Sequence, residues 1–162
     1  MSVEIDAATR EAIIARNNAT VDQHFHNENA EGIDLAIAVY TDDIVWEVPA
    51  RGLLLRDKAA VKAEYLKIFE AMQVHKITNL HRFATEEWVF DDSIFEITIK
   101  TDGFRNCPFP PGTRCSMRLT HAFQMRDGLI CRENGYEIWR RADDTDRVND
   151  DIPADAKVTV FD

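Results

Sequence analysis

The chain has 162 residues, 45% of them hydrophobic, which fits one domain with a real core. A formal net charge of −10 argues against nucleic acid and against anionic membrane surfaces as partners, because both recruit basic patches. No apolar run is long enough to span a bilayer, and the opening MSVEIDAATREAII lacks the charged-then-apolar pattern of a secretory leader, so the expected location is the cytoplasm.

Helices come first. Asp6 is the expected N-cap of a helix over 7–28, on which Ile14, Asn18, Val21, Phe25 and Glu28 recur at helical spacing, with His24 beside them. A shorter helix over 31–40 buries Ile33, Ala36, Ile37 and Tyr40, and Thr41-Asp42-Asp43 caps its end. A strand over 44–48 stops at Pro49, Arg51-Gly52 turns, and a short strand follows over 53–55. Asp57 caps a third helix over 58–72, with Val61, Tyr65, Ile68, Phe69 and Met72 on one stripe.

Beyond that helix, β-branched and aromatic residues predict strands over 74–83, 87–90 and 93–101, with Asp91-Asp92 as a tight turn between the last two. The segment DGFRNCPFPPGTR (102–114) is a stiff, apolar loop suited to a rim or lid. A hairpin over 115–139 closes the domain at about residue 141. An acidic tail (142–162) follows, in which 157–161 could add an edge strand or reach a partner subunit. Three helices before a mostly antiparallel sheet give an α+β domain, and a curved sheet closed by helices leaves a pocket at its mouth.

The first arm of the last hairpin alternates with period two. Met117, Leu119, His121, Phe123 and Met125 face one way, and Ser116, Arg118, Thr120, Ala122 and Gln124 the other. His121 is the one ionisable group on the apolar face. It is either a core histidine satisfied by one hydrogen bond or a titratable group in an apolar cavity. The three cysteines, Cys107, Cys115 and Cys131, fit a reducing compartment, and no ligand spacing for zinc occurs. His24 and His26 stand two apart on a helix and diverge, a poor metal pair. No metal and no cofactor are therefore expected.

The order helix, helix, YTDDIVWEVP, RG, helix, then DGLI in a terminal hairpin resembles the nuclear transport factor 2-like superfamily, which includes ketosteroid isomerases and SnoaL-type polyketide cyclases. The likeness runs over 16–139. RNNATV, the proline loop and THAFQMRDGLICREN are also similar to the A/B proteins of phenazine biosynthesis. The resemblance implies a cone-shaped, cystatin-like fold: a curved mixed sheet packed against three N-terminal helices around a pocket. It implies a homodimer through the outer sheet face, where Arg118 and Arg132 lie.

Function is less tightly implied, because one fold carries many chemistries. Matching the isomerase pattern to 41–49 puts that family's general-base aspartate at Val48, its oxyanion tyrosine at His24 and its protonated aspartate at His121. The base is missing, and two imidazoles stand in for the donors. The epoxide hydrolase strand positions read Glu96 and Thr98, which is not that family's acid set. The dehydratase histidine matches His75, with Asn29, next to Glu28, where the acid belongs. The phenazine glutamate falls at or near Gly135, flanked by Glu133 and Glu137.

The expectation is then a small enzyme using cofactor-free general acid–base catalysis for a cyclisation, isomerisation or dehydration. His24, His121, Glu133 and Glu96 are the expected catalytic residues, and the ligand is an apolar ring or polyketide-like molecule. Trp46, Val48, Phe69, Met72, His75, Met117 and Phe123 are expected to line its site. The reading of a different class is a non-catalytic protein that binds a small ligand or a partner. Two hairpin registers compete. A two-residue turn at Asp127-Gly128 pairs Met125 with Ile130 and sets His121 opposite Asn134, which hydrophobic matching favours. A three-residue loop over 126–128, with Gly128 left-handed in a bulge, pairs Phe123 with Cys131 and sets His121 opposite Glu133, which the resemblance favours. The expectation adopted is the second, with Glu133 holding His121 protonated.

Overall fold

The computed structural model describes residues 6–142. The acidic tail therefore lies, but for Ala142, outside the described residues, as does the strand expected over 157–161. No helix among the described residues is long and apolar enough to cross a membrane.

Helix α1 (Ala7–His26) starts where expected, with the Asp6 carboxylate accepting the Thr9 N–H at 3.0 Å. It ends at His26, so Glu28 lies just past it. Helix α2 (Ile33–Ala38) is shorter than its apolar pattern, because Tyr40 already belongs to strand β1 (Tyr40–Val48). Thr41, Asp42 and Asp43 are thus strand residues rather than a cap. A 3-10 turn (Pro49–Arg51) leads through left-handed Gly52 into β2 (Leu53–Leu55). Asp57 caps α3 (Lys58–Ala71) by accepting the Ala60 N–H at 2.9 Å.

Strands β3 (Met72–Ala84) and β4 (Trp88–Ile99) form one long hairpin. Asp91-Asp92 is not its turn. Each aspartate has a cationic partner that makes strand pairing tolerable: Arg82 Nε donates to Asp91 at 2.8 Å, and Arg118 Nε donates to Asp92 at 3.0 Å. The chain reverses instead at Thr85, whose Oγ1 accepts the N–H groups of Glu87 and Trp88.

Strands β5 (Arg114–Arg126) and β6 (Leu129–Arg141) complete a six-stranded sheet of order β2-β1-β6-β5-β4-β3. All its pairings are antiparallel except β1 with β6. The helices cover one face. Val21, Val61, Ile44, Val89, Ile97, Phe123 and Ile130, each 0% exposed, form the core between the layers. The described residues thus have the expected α+β architecture.

The last hairpin follows neither expected register. Asp127 (φ 54°) and Gly128 (φ 83°) make a two-residue turn, and Met125 pairs with Ile130. A bulge at Cys131 then shifts the ladder, so Phe123 pairs with Glu133 and His121 with Gly135. The extra residue lets Ile130 and Glu133, an odd number of positions apart, both face inward, at 0% and 2% exposure. Tyr136 and Ile138 face outward, as the three-residue loop required; Ile130 does not.

Candidate active site

The inner face of the sheet and the ends of α1 and α3 enclose a cavity of about 440 Å³. Phe25, Trp46, Val48, Phe69, Met72, Phe95, Phe104, Met117 and Leu119 supply its apolar wall. Val74 and Ile77 of β3 also line it while remaining half exposed, so the mouth lies at that edge of the sheet.

Glu133 is the buried centre of the polar groups. Its Oε1 accepts the Tyr65 hydroxyl at 2.8 Å, and its Oε2 accepts the Tyr40 hydroxyl. His24 stands behind them, 0% exposed, with Nδ1 3.3 Å from the Ala36 carbonyl. A carbonyl only accepts, so Nδ1 carries the proton, and Nε2 faces Tyr40 (3.3 Å), Tyr65 (3.4 Å) and Glu133 (3.5 Å). His24 thus does not line the cavity; it holds the tyrosine–glutamate cluster from the rear.

His121 reaches the cavity from β5. Its ring stacks on Phe123 at 5.3 Å between centroids and meets Phe25 edge-on at 5.2 Å. Nε2 lies 3.9 Å from Glu133 Oε1, and buried Nδ1 has no hydrogen-bond partner among the described residues. Burial pushes the imidazole below its ordinary value of 6.5, outweighing the opposite pull of Glu133 and Asp91. Glu133 is beside His121, as expected, but does not keep it protonated near neutral pH.

Glu28 lies just past the end of α1. The residue is half-buried and lines the cavity. Desolvation, reinforced by the Glu133 charge, pushes it up to about 8, against a hydrogen bond with Tyr65. The cavity therefore sets a carboxylic acid that keeps its proton at pH 7 against an imidazole that lacks one. Environments that drive two pKa values apart mark an acid and a base.

Asp91 pairs across the sheet with His121, and is held by Arg82 and by the Ser93 hydroxyl at 3.0 Å. Further along β6, Glu137 accepts Arg51 Nε at 3.1 Å and Trp139 Nε1 at 2.8 Å. Burial pushes Glu137 up, and Arg51 opposes that shift.

Of the expected site residues, Trp46, Val48, Phe69, Met72, Met117, His121 and Glu133 do line the cavity. Phe123 is fully buried beneath His121 rather than exposed to it. Glu96 is corrected: it pairs with Ser116 on the outer face, where Lys76 and Arg114 lie 3.9 Å away, because strand alternation sends Phe95 and Ile97 inward. His75 is corrected too. It sits at a bulge between Val74 and Lys76, exposed and bonded to Thr98 Oγ1 at 2.7 Å. The sequence reading missed Tyr40, Tyr65, Asp91 and Arg51, and gave Glu28 no role of its own. The tyrosines carried a usable signal, since a phenol on a core stripe needs a hydrogen-bond partner.

Similar solved structures carry the same fold. A nuclear transport factor 2-like protein from Burkholderia xenovorans aligns with TM-score 0.63 and 18% identity, over 77% of this chain and 91% of its own. A candidate polyketide cyclase from Xanthomonas campestris gives 0.61 and 18%, over 76% and 91%. An epoxide hydrolase from M. tuberculosis gives 0.59 and 15%, over 77% and 84%. At these identities the likeness is one of fold. No curated protein matches the chain significantly. The family model of the SnoaL-like domain matches residues 21–133, and the chain belongs to that family.

Proposed function

We propose that this protein is an enzyme that moves a proton on an apolar ring or polyketide-like substrate by cofactor-free general acid–base catalysis. The reaction is a cyclisation, an isomerisation or a dehydration. The observation that carries the reading is the placement of Glu28 and His121 in one apolar cavity, with opposite protonation preferences.

In this reading His121 is the base. Its imidazole takes a proton from carbon next to a substrate carbonyl, and Glu28 gives its own proton to the oxygen on which charge develops. The products of the step are an enol, an imidazolium and a carboxylate, so charge and protons balance. Glu133, 3.9 Å from His121 Nε2, and Asp91 across the strand stabilise the imidazolium as it forms. Tyr40, Tyr65 and His24 keep Glu133 in place and are positioning residues. A positioned acid or base contributes about 10²–10⁴-fold. The apolar wall excludes water and strengthens each charge interaction.

The test needs no knowledge of the natural substrate. Exchange of the C1 hydrogens of 2-tetralone for deuterium in D2O, followed by NMR, reports enolisation directly. Wild type is expected to exchange about 10²-fold or more faster than His121→Gln or Glu28→Gln. Equal rates in all three proteins would contradict the assignment.

A further inference from the structure

The second polar group of the cavity, Arg51 with Glu137, takes no part in the chemistry above. Both are buried, at 2% and 3% side-chain exposure, and both line the cavity wall. The pair is fixed rather than adaptable. Arg51 Nε donates to both carboxylate oxygens of Glu137 at 3.1 and 3.2 Å, and Nη1 donates to the Arg105 carbonyl at 3.2 Å. The guanidinium lies over the Phe104 ring, 4.6 Å from its centroid. Glu64 stands 3.7 Å from Nη1 and 3.3 Å from Arg105, so two arginines and two glutamates balance in charge. Among the described residues no acceptor meets Nη2.

Burying such a group against an apolar cavity is costly unless something uses it. Glu133 and Glu137 project from the same face of β6, four residues and so about 13 Å apart along the strand. Between them stands Gly135, which adds no side chain: a Cβ there would come within 3.4 Å of Val48 Cγ2 and 3.6 Å of Leu119 Cδ1. The cavity thus has two polar poles joined by an apolar floor that glycine keeps low.

We infer that Arg51 and Glu137 form a specificity subsite that binds a neutral oxygen, a carbonyl or a hydroxyl, at the end of the substrate remote from the reacting carbon. The balanced charge of the cluster selects a neutral oxygen over a carboxylate, which would meet Glu64 and Glu137 at close range. The Nη2 donor serves either oxygen, and Glu137 can accept from a hydroxyl. This inference rests on the acid–base reading for which pole reacts. It adds the substrate class: an elongated apolar body with oxygen at both ends.

Two probes that differ only in that second oxygen, 4,4′-dihydroxybiphenyl and 4-hydroxybiphenyl, test it by titration calorimetry. Wild type is expected to bind the dihydroxy compound about tenfold more tightly, the effect of one hydrogen bond to a buried charged group. In Arg51→Met/Glu137→Leu, which removes the pair together and leaves Glu64 with Arg105, the two affinities are expected to become equal. Should that variant not fold, Arg51→Lys, which keeps the charge and lacks the guanidinium fork, is expected to narrow the preference, Glu137 still accepting from the hydroxyl. Equal affinities in wild type overturn the subsite and leave the acid–base reading to the deuterium exchange of the wild-type protein. A preference left unchanged in these variants overturns its assignment to Arg51 and Glu137. Failure of wild type to bind either probe overturns the subsite as well.

Discussion

Glu28 shows how much of the site's chemistry is set by surroundings rather than residue type. A carboxyl normally near 4.5 is raised to about 8 by removal from water and by the charge of Glu133. The sign of the consequence for stability follows from linkage. Because the folded value lies above the unfolded one, the contribution of Glu28 is fully present below pH 4.5 and is lost as pH rises to about 8. His121 works in the opposite sense: its folded value lies below 6.5, so its contribution is present above pH 6.5 and lost as pH falls through that folded value. Glu28→Gln cannot ionise, and is expected to gain stability relative to wild type as pH rises from 5 to 9 in urea titrations. Parallel stability curves for the two proteins over that range would show that Glu28 titrates as an ordinary surface acid.

The last hairpin shows what period and turn chemistry reveal at the scale of an element. Alternation in β5 identified its inward face correctly, and Asp-Gly marked the turn. The sequence did not reveal the bulge at Cys131, because an inserted residue has no signature of its own; the adopted register placed its bulge at Gly128, and the other had none. A different cause hid the continuity of β4: Asp91-Asp92 reads as a turn until Arg82 and Arg118, on neighbouring strands, are known to neutralise it. Glu96 was misplaced because a resemblance fixes a position along a strand more firmly than the face it occupies. His75 was misplaced by another bulge. Helix starts were legible because Asp6 and Asp57 are strong local signals, whereas the end of α1 was not, since the apolar spacing runs on to Glu28. The hairpin turn itself is open to test. Gly128 has φ 83°, and a Cβ there would meet Arg16 Nε at 2.7 Å. Gly128→Ala is expected to destabilise the fold by about 1 kcal/mol or more in chemical denaturation, chiefly through backbone strain. An unchanged midpoint would mean that the turn adapts freely.

The whole molecule combines a closed inner face with an outer face that still shows Tyr136 and Ile138, 48% and 53% exposed. We propose that a second copy covers them, and light scattering at micromolar concentration is expected to give twice the monomer mass; a monomer would reject the dimer. The inner face is where helices, sheet and the loop carrying Phe104 jointly create a largely apolar space, and burial in that space is the origin of the opposed protonation preferences of Glu28 and His121. Their direct titration by carboxyl-carbon and imidazole-nitrogen NMR therefore bears most closely on the proposed catalysis. The expected result is that Glu28 titrates at about 8 while His121 titrates below 6.5, so that acid and base coexist at neutral pH. A Glu28 that titrates near 4.5, or a His121 still protonated at pH 7, would contradict the account.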